Sequence, residues 1–187
     1  MSRGIDLRTF VPPRPTAVAE VPRPGQKAPP LDRALGGRPL VVAFLRHVGC
    51  PFAEATFSEL SQRAAGEDHV HFIAVSHASP AATREWCSAV AGGPGAVELV
   101  FDEQRSIYAA WGLGRSSLAH FMGTRSLRAV ADLGRKGVRN RHPSGTRWQT
   151  AGTFAVDAAG VIRWVHVPEH AGSLPDLDAA ALAARAR

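Results

Sequence analysis

Cysteine is scarce: Cys50 and Cys87 are the only two among 187 residues. Two thiols are too few to staple a secreted scaffold, and they lack the clustering that a structural zinc site needs. Redox chemistry, nucleophilic chemistry or plain packing is what remains for them. Long hydrophobic stretches are missing as well. The apolar run Leu40 to Leu45 is far too short to span a bilayer. The opening residues, MSRGIDLRTFVPPRP, carry an acid and several prolines in place of the apolar core of a secretory signal. These absences predict no membrane partner, no export and a cytoplasmic, reducing setting. No internal repeat and no nucleic-acid module signature is visible. His69, His71, His77, His120, His142, His166 and His170 are scattered, and Pro168 interrupts the spacing of the last two, so no metal site is expected.

What is present suits one globular domain. With 45% hydrophobic and 20% charged residues, the chain has the composition of an ordinary folded protein, and its length allows a sizeable core. The net charge of +6 is uneven, because Arg125, Arg128, Arg135, Lys136, Arg139, Arg141 and Arg147 crowd into one segment. Aromatic interleaving there is thin, so the segment reads as a solvated basic face and no nucleic-acid partner is expected. Residues 1–23 are rich in proline and lack hydrophobic periodicity, which makes them an extended arm; residues 24–187 form the domain.

Within the domain, strands and helices alternate. PGQKAPPL is expected to add a short edge strand. Leu40 to Leu45 reads as a central strand covered on both faces. A helix follows over Phe52 to Ala65, with Pro51 in its first turn, where a missing N–H costs nothing. Val70 to Ser76 is the next parallel strand, and Ser79 caps a helix from Pro80 to about Val90 that the Gly92–Gly95 cluster stops. Ala96 to Phe101 is a third strand, with a short helix from Ser106 to Trp111. Leu118 to Leu133 is helical, and Gly134 to Gly145 reads as an exposed basic loop, a candidate flap. Gly152 to Asp157 and Val161 to Val167 form a hairpin through Asp157-Ala158-Ala159-Gly160, and Asp176 starts the last helix.

The stretch PLVVAFLRHVGCPFAEATFSEL puts Cys50 at a strand-to-helix turn. A thiolate at a helix N-terminus is stabilised by the unpaired N–H groups and the helix dipole. Arg46 and His47 lie within four positions of it. A nearby cation favours thiolate, and a neutral imidazole can act as base. Strand alternation sends the two side chains in opposite directions, so only one of them is expected to touch Cys50 directly.

Three segments, PGQKAPPL, FLRHVGCPF and RWQTAGTFAVDAAGVIRWVHVPEHAG, in this order, resemble the thioredoxin-like superfamily, and within it the peroxiredoxin-like 2, AhpC/TSA-type branch that includes prostamide/prostaglandin F synthase-like proteins. The resemblance implies an α/β, thioredoxin-like (peroxiredoxin-like) fold: a mixed central sheet flanked by helices on both faces, with a C-terminal hairpin and helix. It makes Cys50 the reactive cysteine, and it allows Cys87, on the helix after the second strand, to be a resolving thiol as in some bacterial peroxiredoxins. Catalytic candidates are therefore Cys50, His47, Cys87 and Arg46. Pro51, Phe52, Trp148 and Thr153 are candidates for lining the substrate site. The implied partners are a small-molecule peroxide or other electrophile, thioredoxin or a low-molecular-weight thiol as reductant, and a second copy in a homodimer; no cofactor is implied.

The chain departs from the family pattern at three positions. Ala53 stands where the second cysteine of C-x-x-C would be, His47 where a Thr or Ser orients peroxide, and Ala151 where a catalytic arginine is typical. Three functions stay open: a peroxidase-like thiol oxidoreductase, a divergent biosynthetic enzyme converting an anionic small molecule, and a noncatalytic binding module whose Cys50 is buried.

Overall fold

The computed structural model describes residues 17–32, 35, 37–116, 124–135, 137–138, 145–170 and 172–186. Five strands form one mixed sheet. β1 (Leu40–Phe44), β2 (His71–Ser76) and β3 (Glu98–Phe101) run parallel, connected through α1 (Pro51–Ala65) and α2 (Pro80–Ala91). β4 (Gly152–Val156) pairs antiparallel with the other edge of β1, and β5 (Ile162–His166) pairs antiparallel with β4. The order β3-β2-β1-β4-β5 makes β1, the strand that delivers Cys50, central. α3 (Ser106–Ala110), α4 (Thr124–Arg135) and α5 (Leu177–Ala184) complete the described elements.

The continuous apolar run of β1 follows from its place between two cores. Val41, Ala43 and Leu45 face one layer, with Phe57 and Leu60 of α1, Trp86 and Cys87 of α2, and Leu177 and Ala180 of α5. Leu40, Val42 and Phe44 face the other, with Tyr108, Trp111, Leu113 and Phe154. Period-two alternation with both faces covered leaves no polar position in the strand. Helix boundaries follow their caps. The Ser79 hydroxyl accepts the Ala82 N–H at 3.3 Å, and Gly92 ends α2 in the left-handed region at φ 74°. The Asp176 carboxylate accepts the Ala179 N–H at 2.9 Å to open α5.

Two expected strands are shorter than their sequences suggest. PGQKAPPL forms only a single bridge, Lys27 to Val161, beside two hydrogen bonds between Gly25, Gln26 and Ile162. Pro24, Pro29 and Pro30 lack the N–H groups that a longer ladder requires. β3 begins at Glu98 because the Val97 N–H turns back to the Pro94 carbonyl at 3.0 Å. Residues 19–22, within the proline-rich stretch, lie against α3: the Ala19 N–H donates to the Ala109 carbonyl at 3.0 Å, and Pro22 is buried. The start of the expected helix at 118–123 and most of the basic loop at 139–144 lie outside the described residues.

One side chain ties the fold to the region after β1. The Tyr108 hydroxyl lies 2.6 Å from the Leu45 carbonyl and 2.8 Å from the Val75 carbonyl, sharing its hydrogen between the ends of β1 and β2. Full burial pushes its ionisation well above the ordinary phenol value, so it stays a donor. Asp102 sets Tyr108 in place by accepting the backbone N–H groups of Ser106, Ile107 and Tyr108 at 2.8–3.0 Å. Tyr108→Phe removes this donor and leaves buried carbonyl capacity unmet. We expect a loss of about 1–2 kcal/mol in urea unfolding with far-UV circular dichroism unchanged; an unaltered midpoint would show that the bridge carries no stability.

Candidate active site

The turn after β1 is built to hold a thiol at a helix start. Gly49 adopts φ +87°, a conformation that side-chain-bearing residues rarely reach. Cys50 then returns to extended backbone as the N-cap of α1, and Pro51 occupies the first helical position. The Cys50 N–H donates to the His47 carbonyl at 3.2 Å, and its carbonyl accepts the Glu54 N–H at 2.9 Å. No side-chain hydrogen bond caps this N-terminus, so the thiol sits at the positive end of the helix dipole. Cys50 is 2% exposed.

A second segment closes on the thiol from the far end of the chain. Arg147 lies close enough for its guanidinium and the Cys50 sulfur to interact electrostatically. Partial burial holds the Arg147 guanidinium below its ordinary value; the nearby Cys50 sulfur draws it up and the Arg46 charge pushes it down. Three successive carbonyls of this turn are each taken by a different part of the fold. His77 Nε2 meets the Thr146 carbonyl at 3.2 Å, Arg46 Nη2 donates to the Arg147 carbonyl at 3.3 Å, and the Ser116 N–H donates to the Trp148 carbonyl at 2.6 Å. Gln149 extends the anchorage, its amide donating to the Leu113 carbonyl at 2.9 Å. The Arg115 guanidinium lies 5.0 Å from the Trp148 ring centroid.

Both histidines near the thiol are buried and neutral. Burial, more than any other cause, pushes His47 down to about 3, with Arg46 and Arg147 adding to the effect. Burial likewise takes His77 down to about 4, with His47 as the next contributor. His47 Nδ1 lies 2.9 Å from the Val48 carbonyl. A carbonyl only accepts, so Nδ1 carries the hydrogen and Nε2 keeps its lone pair. An imidazole whose conjugate acid is this strong is a weak base toward a thiol.

The residues singled out from the sequence fall into two groups. Arg46, Phe52 and Thr153 line one cleft, together with Ala53, Thr56, Ala151, His166 and Leu174. Pro51 and Trp148 do not line it, and neither does Cys50. Arg46 and His47 diverge, Arg46 to this cleft and His47 toward His77. Cys87 is fully buried in the same core as Cys50, both thiols are free, and burial pushes the Cys87 thiol up to about 11. Among the described residues no set of three or more His, Cys, Asp or Glu side chains is placed to hold a metal ion, and no helix is long and apolar enough to cross a membrane. Arg147 and His77 are the neighbours the sequence did not single out for this site. Arg147 stood only among the basic cluster, and nothing local to it signals that its turn folds back on Cys50.

No curated protein matches the chain. Solved structures do, at low identity. A peroxiredoxin-like protein from Aquifex aeolicus is 16% identical with a TM-score of 0.61, covering 91% of this chain and 90% of its own. A thiol peroxidase from Chromobacterium violaceum is 15% identical with a TM-score of 0.57, covering 88% and 87%. The reduced 2-Cys peroxiredoxin of Plasmodium vivax is 16% identical with a TM-score of 0.51, covering 88% and 78%. At such identities the likeness establishes the α/β, thioredoxin-like fold. A family model described as AhpC/TSA antioxidant enzyme matches residues 55–170, more than half of the chain, starting just past Cys50. With its sheet order and this match together, the chain belongs to the AhpC/TSA antioxidant-enzyme family.

Proposed function

We propose that the protein is a peroxidase-like thiol oxidoreductase with Cys50 as its nucleophile. The observation that carries this reading is the pairing of a helix-start thiol with the Arg147 guanidinium. In the first step the Cys50 thiolate attacks one oxygen of a peroxide. An S–O bond forms, the O–O bond breaks, sulfur is oxidised to sulfenate, and the leaving oxygen takes a proton and departs as alcohol or water. An incoming thiol then attacks the sulfenate sulfur, giving a disulfide and water, and a second thiol releases Cys50. Thioredoxin or a low-molecular-weight thiol supplies these electrons.

Arg147 favours the thiolate and the charge that develops on the leaving oxygen. It serves in place of the arginine absent at Ala151. Arg46 adds positive potential from the cleft side. His47 acts as a neutral hydrogen-bonding group. Cys87, protonated and fully enclosed, serves as an internal resolving thiol only if α2 loosens. The burial of Cys50 at 2% exposure favours a second reading, a binding module without catalysis. The two readings separate in one measurement.

After a stoichiometric pulse of hydrogen peroxide, trapping and mass spectrometry are expected to find sulfenate on Cys50 or a Cys50–Cys87 disulfide; an unchanged protein favours the binding module. Thiol-coupled peroxide consumption is expected to vanish in Cys50→Ser, and full turnover in that variant would sink the proposal. Arg147→Met is expected to slow Cys50 oxidation by about tenfold, the worth of about 1.4 kcal/mol of lost charge interaction. Stopped-flow tryptophan fluorescence measures it, and an unchanged rate would remove Arg147 from the mechanism.

The buried histidines also predict an acid dependence of stability. His47 and His77 titrate near 3 and 4 in the fold, against about 6.5 when unfolded. Above pH 6.5 both states hold them neutral and stability is unaffected. As pH falls below 6.5 the unfolded chain binds protons that the fold refuses, so stability drops until the folded values are passed, by at most about 1.4 kcal/mol per pH unit per histidine. Urea midpoints between pH 7 and 4 should show this slope, and His47→Gln should flatten it by up to one proton's worth. A slope identical in His47→Gln would contradict the assignment.

A further inference from the structure

His77 directly follows the last residue of β2 and is only 6% exposed, yet no step proposed for Cys50 uses it. Its Nε2 faces the Thr146 carbonyl at 3.2 Å, which requires the hydrogen on Nε2. Against the same ring edge packs Gly145, at φ +85°, where an added Cβ would stand 2.8 Å from both His77 Cδ2 and Nε2. The far side of the ring meets Tyr108 edge-on at 5.6 Å, and Tyr108 is tied to the ends of β1 and β2. Thus one rigid strand end, one imidazole and one glycine fix the entry to the turn that carries Arg147.

The turn needs such a fixture. Arg46 donates to the Arg147 carbonyl, yet the two guanidinium charges repel each other. Ser116 holds the Trp148 carbonyl on the exit side, and His77 holds Thr146 on the entry side. The charged and titratable groups facing His77 are His47 from the β1–α1 turn and Arg105 and Asp102 from the β3–α3 turn. Burial keeps the imidazole neutral through the neutral range, so this donor does not switch.

We propose that His77 is a positioning residue: by clamping the Thr146 carbonyl against Gly145 it holds the Arg147 guanidinium at Cys50. The inference rests on reading Cys50 as the reacting thiol, but it concerns where a charge is held and can be tested without peroxide. The probes are iodoacetate and iodoacetamide, one anionic and one neutral, with alkylation of Cys50 followed by mass spectrometry of its peptide. Mere loosening of the site raises both rates together, whereas loss of a nearby cation lowers the iodoacetate-to-iodoacetamide ratio.

Arg147→Met is expected to lower that ratio about threefold to tenfold. His77→Phe, which keeps the ring but not the donor, is expected to reproduce most of this fall, and His77→Gln, which restores an N–H, to recover it. The double variant His77→Phe with Arg147→Met is expected to fall no further than Arg147→Met alone. Should His77→Phe fail to fold, Gly145→Ala displaces the same contact from the turn side and is expected to lower the ratio likewise. A wild-type ratio in His77→Phe or Gly145→Ala, a wild-type ratio in Arg147→Met, or independent multiplicative losses in the double variant would each overturn the proposal. Peroxide consumption measured in parallel keeps the two readings apart: the expected ratios without turnover uphold the clamp and remove the peroxidase, and turnover with unchanged ratios does the reverse.

Discussion

The shared hydrogen of the Tyr108 hydroxyl is the constraint on which the rest of this molecule depends. It joins the carbonyl of Leu45, just past β1, to that of Val75 near the end of the adjacent parallel strand β2, where the β1–β2 ladder stops. Beyond that edge β1 continues into Arg46, His47 and Cys50, and β2 continues into His77. Two chain segments that would otherwise splay apart as the sheet twists leave the sheet at a fixed separation. Asp102 extends the same constraint to β3 by capping α3, the helix that carries Tyr108. The candidate site is therefore held by the ends of three strands, and a loop of distant sequence has only to dock on them.

Docking that loop brings two guanidinium groups and two imidazoles into one interacting cluster that reaches the thiol through Arg147. Charges of like sign within one low-dielectric region are costly, and the arrangement limits the cost in two ways. Burial keeps both histidines neutral, so they contribute hydrogen bonds without adding positive charge. Arg46 spends a donor on the Arg147 backbone, which binds the turn through a carbonyl dipole. The Cys50 sulfur offsets part of the remaining repulsion felt by Arg147.

Most of the fold was legible because its signals are local. Val41, Val42 and Ala43 read as a doubly covered strand, Ser79, Gly92 and Asp176 mark helix ends, and the segment from Asp157 to Gly160 marks a hairpin. The edge strand expected in PGQKAPPL shrank to a bridge because proline removes the donors that pairing needs. The thiol was legible in the same way, since Gly49, Cys50 and Pro51 spell a strand-to-helix turn. Its neighbours were not. Arg147 reaches Cys50 across 97 positions of sequence, and His77 reaches the neighbouring Thr146 carbonyl across 69, through a turn whose anchors are backbone carbonyls. Carbonyls are the same at every residue, so no motif records which of them will be held.

The empty position at Ala151 shows why a motif read by register can mislead about electrostatics. Ala151 sits on the rim of the cleft with Phe52, Ala53 and Leu174, and a long cationic side chain there would enter the cleft. Arg147, four residues earlier on the turn, interacts with the Cys50 sulfur without being among the residues that line the cleft. A Coulomb interaction depends on separation and on the surrounding dielectric, not on the order of residues along the chain. An arginine on the turn can therefore interact with the sulfur while a different set of side chains lines the neighbouring surface. For a thiol enclosed to this degree, the field set by the turn and the access set by the cleft become separate properties. Each can vary without the other.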